Sequence, residues 1–209
     1  MVDTEATVFV VDDDPSVREA ICSLLRSVQL DVVAYESARD FLDNRRPADN
    51  ACLILDVRMP GLSGLDLQQQ LSGSDAPLPV VFITGHGDIP MAVRAIKAGA
   101  VEFLTKPFRD DDLLTAVTNA LARDRAARRD REALAAVRTR YTTLTERERE
   151  VLLPIVRGTL NKQVGAALGV TEQTVKVHRH NIMRKMDAGS LPDLVRMIES
   201  LKTAGDLPG

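Results

Sequence analysis

Apolar residues in the first half of the chain gather in short blocks at 6–11, 32–35, 51–55, 80–84 and 102–105, each ended by polar or turn-forming residues. Blocks of this length and spacing predict five β-strands. Between them, residues 16–28, 37–44, 64–71 and 89–98 repeat apolar positions near the helical period of 3.6. Regular alternation of strands and helices predicts a parallel sheet covered on both faces, a doubly wound α/β domain over residues 1–121. In such a sheet ligands sit beyond the carboxyl ends of the strands, so the residues that follow each strand are the ones that can carry chemistry.

After Pro107 the next Gly or Pro is Pro154, and residues 110–140 are rich in Ala, Leu and Arg, which predicts one long helix running out of the α/β domain. Its middle, 123–132, is almost wholly polar, so a spacer is expected there, within a helical linker at 122–142. Leu134, Val137 and Tyr141, three and four apart, offer one apolar stripe for packing on a domain or on a second copy. From Thr145 the pattern is helical throughout, at 146–157, 161–168, 172–186 and 191–201, which predicts an all-α four-helix domain at 143–202. Thr145 with Glu148 forms a capping-box signal, Thr171 is an N-cap candidate, and Gly158 and Gly169 stand where helices stop. Residues 203–209 are expected to be a flexible tail.

Composition narrows the class. Hydrophobic residues at 44% and charged residues at 27% suit a globular chain, and no apolar run approaches the roughly 20 residues of a membrane span. Residues 1–7 lack the basic and apolar character of a signal peptide, so a cytoplasmic protein without a membrane partner is expected. Cys22 and Cys52 lie inside apolar elements with no His or second Cys at ligand spacing, which predicts buried thiols. The net charge of −3 is unevenly spread: residues 1–122 carry 19 acidic and 10 basic side chains, 123–141 carry 3 and 7, and 142–202 carry 7 and 10. A basic second half suits a polyanion, although a solvated basic surface gives the same count.

The strand ends carry the chemical signal. Asp12, Asp13 and Asp14 follow the first strand, Asp56 ends the third, Thr84 the fourth, and Lys106 with Pro107 the fifth. In a parallel sheet these open on one edge. Clustered carboxylates repel one another, and a hard divalent cation with oxygen ligands, Mg²⁺, resolves the conflict and leaves one carboxylate as a nucleophile toward a phosphoryl donor. Taken one at a time, the aspartates can be helix caps, Lys106–Pro107 a turn and Phe103 core packing.

The strings VVDDD (10–14), DVRMPGLSG (56–64), ITGHGD (83–88) and KPF (106–108) resemble the receiver domain of bacterial response regulators over the whole first domain. That resemblance implies a flavodoxin-like fold with Asp56 as phosphoacceptor. It implies Mg²⁺ held by Asp12, Asp13, Asp56 and the backbone carbonyl of Arg58, with Thr84 and Lys106 on the phosphoryl group. Phe103 takes the aromatic switch position, and Asp14 is peripheral. An aspartate-nucleophile phosphohydrolase would carry a DxD pattern, whereas here Asp56 is followed by Val57 and Arg58; no enzyme activity beyond weak autodephosphorylation is expected.

In 174–186, Val175, Ile182 and Met186 share one helical face, while Lys176, Val177, His180 and Arg184 fall on the opposite one. A basic-faced helix preceded by a helix and a short turn has helix-turn-helix order. LTERERE (144–150), TVKVHRHNIMRKM (174–186) and SLPDLVRM (190–197) resemble the LuxR/NarL-type DNA-binding domain. With GHGDIPMAV (85–93) added, the whole chain resembles the FixJ-like branch of that family. The resemblance implies Lys176, Val177, His180 and Arg184 on the DNA side, and Lys162, Thr174 and Lys185 near phosphates. It also implies a sensor histidine kinase as donor, a homodimer on phosphorylation, promoter DNA as target and RNA polymerase as a further partner.

Overall fold

The computed structural model describes residues 6–73, 77–85 and 89–207. His86, Gly87 and Asp88 of the ITGHGD string lie outside them. The chain divides between Arg128 and Arg129 into two compact units.

The first unit holds β1 (Ala6–Val11), α1 (Pro15–Ser27), β2 (Asp31–Tyr35), α2 (Ala38–Asn44), β3 (Asn50–Asp56), α3 (Gly64–Ser72), β4 (Val80–Thr84), α4 (Ile89–Lys97), β5 (Glu102–Thr105) and the start of α5 (Asp110–Thr142). The five strands form one parallel sheet in the order β2-β1-β3-β4-β5, with the reversal of direction falling between β1 and β3. Strand side chains alternate between faces. Val8 and Val10 join Cys52 and Ile54 in the layer under α1 and α5, while Phe9 and Val11 join Leu53 and Leu55 in the layer containing α2, α3 and α4 residues. Both layers are buried, which explains why β1 and β3 read as unbroken apolar runs. Cys22 and Cys52 are free and buried, and burial pushes both thiols up, so neither is poised to react.

Helix α5 departs from the sequence expectation at its middle. Asp124 is buried and accepts a hydrogen bond from the Ala51 backbone N–H at 3.1 Å, at the start of β3. Arg128 holds the Asp49 carboxylate at 2.9 Å, and Arg123 donates to the Gly99 carbonyl at 3.3 Å. The polar stretch expected to be a spacer within 122–142 is therefore fastened, as far as Arg128, to the amino-terminal edge of the sheet.

The second unit contains the end of α5, then α6 (Glu146–Val156), α7 (Asn161–Leu168), α8 (Glu172–Met186) and α9 (Leu191–Thr203). Leu134, Val137 and Tyr141 pack on the core of these helices, around Leu152, Ile155, Val175, Ile182, Met186 and Ile198. The Thr145–Glu148 capping box is formed in both directions, and Thr171 accepts from the Thr174 N–H. Gly169 ends α7 at φ +66°, the left-handed conformation that suits a residue without Cβ. The tail also departs from expectation. Thr203 closes α9, Asp206 pairs with Arg138 at 2.6 Å, and Leu207 packs on the core, so residues 203–207 are tied down by a charge and an apolar contact.

Candidate functional site

Asp12 and Asp56 end or follow the two strands that flank the sheet's reversal point, where the chain leaves in opposite directions and a crevice opens. Carboxylate oxygens of Asp12, Asp13 and Asp56 lie within 4.8 Å of one another. Asp12 is 0% exposed, Asp56 is buried and Asp13 faces solvent. The Lys106 ammonium reaches back from the end of β5 to Asp12 at 2.7 Å and Asp56 at 2.9 Å. Thr84 is fully buried at the end of β4, and its carbonyl accepts from the Lys106 N–H at 2.7 Å. All the pocket residues named from the sequence are thus brought to one edge.

The rest of the pocket is backbone work. The Arg58 N–H donates to one Asp56 oxygen at 3.1 Å, and the Asp14 N–H to an Asp12 oxygen at 2.9 Å. Arg18 holds the Asp12 carbonyl at 2.6 Å. Asp14 turns away from the cluster and caps α1 through the Ser16 N–H at 2.8 Å, which accounts for its peripheral position. Phe103 is half-buried on β5, its ring 6.3 Å from that of Phe82.

Charge in the pocket is unevenly compensated. Burial raises the Asp12 carboxyl above its ordinary value, and the hydrogen bonds from Lys106 and Asp14 do not offset it. For Lys106, burial works against the proton, but hydrogen bonds to Asp12 and Asp56 outweigh it and hold the ammonium above its ordinary value. One cation is therefore shared by the two buried carboxylates, with the Asp13 carboxylate beside them. A second, small, oxygen-loving cation fits this donor set.

Gly64 is a site residue whose reason the sequence hides. Its N–H donates to the Val57 carbonyl at 3.0 Å, and a Cβ placed there would stand 2.2 Å from the Asp56 carbonyl oxygen. Helix α3 is thus pressed against the peptide of the Asp56 loop, and the obstacle is backbone that cannot rotate aside. Gly64→Ala is expected to destabilise the first unit by about 2–3 kcal/mol and to displace Asp56, read as a lower melting temperature together with slower phosphate incorporation.

In the second unit the amphipathic reading of α8 holds. Val175, Ile182 and Met186 are fully buried, while Lys176, Val177, His180 and Arg184 are exposed. Lys176 pairs with Glu172 at 3.0 Å one turn earlier, and Lys162 is exposed on α7. Thr174 sits in the first turn, its hydroxyl 2.8 Å from that of Thr171. Lys185 departs from the phosphate-facing expectation. Its ammonium is bound to the buried Glu148 carboxylate at 2.6 Å and to the Thr143 carbonyl at 3.2 Å, tying the end of α8 to the start of α6. Gly165 of α7 was equally hidden: a Cβ there would lie 2.8 Å from the Val170 carbonyl oxygen, so only glycine fits the tight turn before α8.

The comparisons with known proteins agree with this division. Residues 8–118 match the response regulator receiver domain, and residues 142–198 match the bacterial regulatory proteins of the luxR family. Nodulation protein W of Bradyrhizobium diazoefficiens is 52% identical over 198 residues, covering 95% of this chain and 87% of that protein. The transcriptional regulatory protein FixJ of Azorhizobium caulinodans is 46% identical over 190 residues, covering 91% and 90%. The structure of the response regulator StyR superposes with a TM-score of 0.81 at 51% identity, covering 93% of this chain and 98% of that one. Sheet order, strand-end chemistry and a basic-faced helix-turn-helix in one chain converge on one conclusion: this protein belongs to the transcriptional response regulators of the FixJ and LuxR-type family.

Proposed function

We propose that a sensor histidine kinase phosphorylates Asp56, and that the phosphorylated chain pairs with a second copy and reads promoter DNA. The observation that carries this reading is the cluster of Asp12, Asp13 and Asp56 joined to Lys106 at the sheet's reversal point. Asp12, Asp13, Asp56 and the Arg58 carbonyl would hold Mg²⁺, which neutralises charge on the phosphoryl oxygens. An Asp56 carboxylate oxygen forms a bond to phosphorus as the nitrogen–phosphorus bond of a phosphohistidine breaks, and the leaving imidazole takes a proton from water. Lys106 stays on the phosphoryl oxygens and the Thr84 hydroxyl is drawn to them. Phe103 follows into the space that Thr84 leaves. The chain is an acceptor rather than an enzyme, with weak autodephosphorylation only.

The partner for pairing is a second receiver. Ile89, Val93 and Ile96 on α4 are 81%, 45% and 46% exposed, an apolar stripe that nothing in the unit covers among the described residues. A pair of chains supplies two α8 helices for half-sites about 34 Å apart. There Lys176, Val177 and His180 would face base edges, with Arg184 on the same DNA-facing side and Lys162 and Thr174 at phosphates. The α4 stripe is testable with Ile96→Glu. This variant is expected to take up phosphate from a small-molecule donor with Mg²⁺ as the wild type does, and to stay monomeric by sedimentation where the phosphorylated wild type dimerises. Dimerisation of phosphorylated Ile96→Glu would move the interface elsewhere. The protein would act in the cytoplasm, where promoter DNA and RNA polymerase are found, with recruitment of the polymerase as the output.

A further inference from the structure

The turn between α4 and β5, residues 98–101, is held from two sides by side chains that the phosphorylation chemistry does not use. From α3, Gln68, 3% exposed, donates to the Ala95 carbonyl at 3.4 Å and the Ala98 carbonyl at 3.3 Å. From α5, the Arg123 guanidinium donates to the Gly99 carbonyl at 3.3 Å. At the end of α4 the Ala95 carbonyl also accepts from the Ala100 N–H at 3.1 Å, so Gln68 is a second donor there, while at the Ala98 and Gly99 carbonyls Gln68 and Arg123 supply the donors that helix-end carbonyls take from outside the helix. Val101 follows at once, its N–H bonded to the Val80 carbonyl at 2.8 Å, and β5 with Phe103 begins one residue later. Any change in the α4–β5 face therefore has to move carbonyls that Gln68 and Arg123 hold.

Arg123 is placed to pass that change on. The next residue, Asp124, is the buried carboxylate that accepts from the Ala51 N–H at the root of β3. One turn of α5 thus touches both the turn behind the switch face and the fixed edge of the sheet. The same helix carries Leu134, Val137 and Tyr141 into the core of the DNA-binding unit. Helix α5, continuous from Asp110 to Thr142, is thus the element through which a shift of Gly99 against the Asp124 contact would reach the second unit.

We propose that Gln68 and Arg123 are positioning residues that couple the α4–β5 face to helix α5, so that phosphorylation alters DNA binding through their hold on the Ala95, Ala98 and Gly99 carbonyls. Gln68 sets where the turn rests, and Arg123 reports its position to the helix. Neither touches the phosphoryl site. The proposal rests on the phosphorylation-dependent reading above and adds the route by which it reaches the DNA-binding unit.

The test uses the full chain with Arg123→Met, Gln68→Met and the double variant. The probe is a DNA duplex selected from a random pool by the phosphorylated wild type. Three quantities are read in the same samples at one salt concentration: phosphate bound, self-association, and DNA affinity with and without a small-molecule phosphoryl donor. Arg123→Met is expected to keep wild-type phosphate uptake and self-association, while the ratio of phosphorylated to unphosphorylated DNA affinity falls by about threefold to tenfold, the coupling that one hydrogen bond can carry. Arg123→Lys should restore part of it. In the double variant the loss should be smaller than the product of the two single losses, because both residues act on one turn. A wild-type ratio preserved in both single variants overturns the proposal alone. Loss of self-association in Arg123→Met also overturns it, since the residue would then hold the face rather than report on it. A wild type whose ratio does not respond to phosphate removes the functional reading and this route together. Arg123 is exposed, so its variant folds even where Gln68→Met does not.

Discussion

Asp56→Asn is expected to take up no phosphate from a small-molecule donor with Mg²⁺, and to remain monomeric under conditions in which the wild type is phosphorylated and dimeric. The amide has neither the charge nor the nucleophilic oxygen to form the acyl phosphate. The change is nearly isosteric, so the remaining side-chain oxygen keeps its bond to the Arg58 N–H and Lys106 keeps Asp12. The fold therefore persists, and the loss is chemical rather than structural. In the wild type the phosphoryl group adds about 1.5–2 negative charges to a pocket already short of cations. The proposed rearrangement of the buried Thr84 and the half-buried Phe103 would be a discrete event, because packed interiors switch between arrangements rather than deform smoothly. A complete reversal from 1:99 to 99:1 needs about 5.5 kcal/mol of preference for the active arrangement, and a variant without phosphate has none of it. Bound phosphate and sedimentation in the same samples decide the matter. Phosphate on Asp56→Asn would place the acceptor on another residue.

What could be seen in the sequence follows from where side chains meet regular backbone. β1, β4 and β5 fall where the apolar blocks place them, because their ends coincide with the change from apolar to polar. β2 and β3 each begin one residue earlier, at Asp31 and Asn50, since strand pairing tolerates a polar residue at the sheet's rim. The pocket was legible because every member ends or closely follows a strand, and a parallel sheet gathers strand ends on one edge without further information. The exposed, basic side of α8 was legible because helical period alone separates Val175 from Lys176.

The hidden features all depend on backbone brought from elsewhere in the chain. Asp124 reads as a solvated charge until the free N–H of Ala51 is placed opposite it, 73 residues away in sequence. Gln68 reads as the polar side of α3 until the end of α4 brings the Ala95 and Ala98 carbonyls within its reach. Gly64 looks like a simple helix start, and only the approach of the Asp56 peptide shows that no Cβ fits. The arginines of α5 show how charge counting misleads. Arg123 and Arg128 add to a basic total that suits a polyanion, yet both are engaged by groups of the first unit. Polar residues at the end of a sheet or helix can satisfy backbone groups as well as bind partners, and composition does not separate the two.

Lys185 brings that ambiguity to an experiment, and Lys185→Met is expected to destabilise the DNA-binding unit by about 3 kcal/mol at pH 7. Its ammonium is the charge partner of Glu148, a carboxylate 3% exposed that also accepts from the Thr145 N–H at 2.8 Å. Removing one member of a buried pair leaves the other uncompensated, a change of about 3–5 kcal/mol, and the partial exposure of Lys185 favours the lower end. In a unit of this size that is a fall of more than about 10 °C in melting temperature, readable by calorimetry. Acid supplies a second signature. Burial pushes the Glu148 carboxyl upward, but the hydrogen bonds from Lys185 and Thr145 outweigh it and hold it below its ordinary 4.5. A lowered folded-state value means that the stabilisation is complete above about pH 4.5 and is lost as pH falls through the lower value. Without Lys185, burial is less opposed and the carboxyl moves up, so protonation begins earlier and relieves the variant. The gap in stability between wild type and Lys185→Met should therefore be widest near neutrality and close as the pH approaches 3–4. A residue that served DNA phosphate instead would leave stability untouched and reduce the slope of log affinity against log salt by about one. That reduced slope is expected for Lys162→Met, whose exposed ammonium is proposed to meet a phosphate, and not for Lys185→Met measured where it is folded. A Lys185→Met chain with wild-type melting and a shallower salt slope would return Lys185 to the DNA surface and leave Glu148 stabilised by its cap alone.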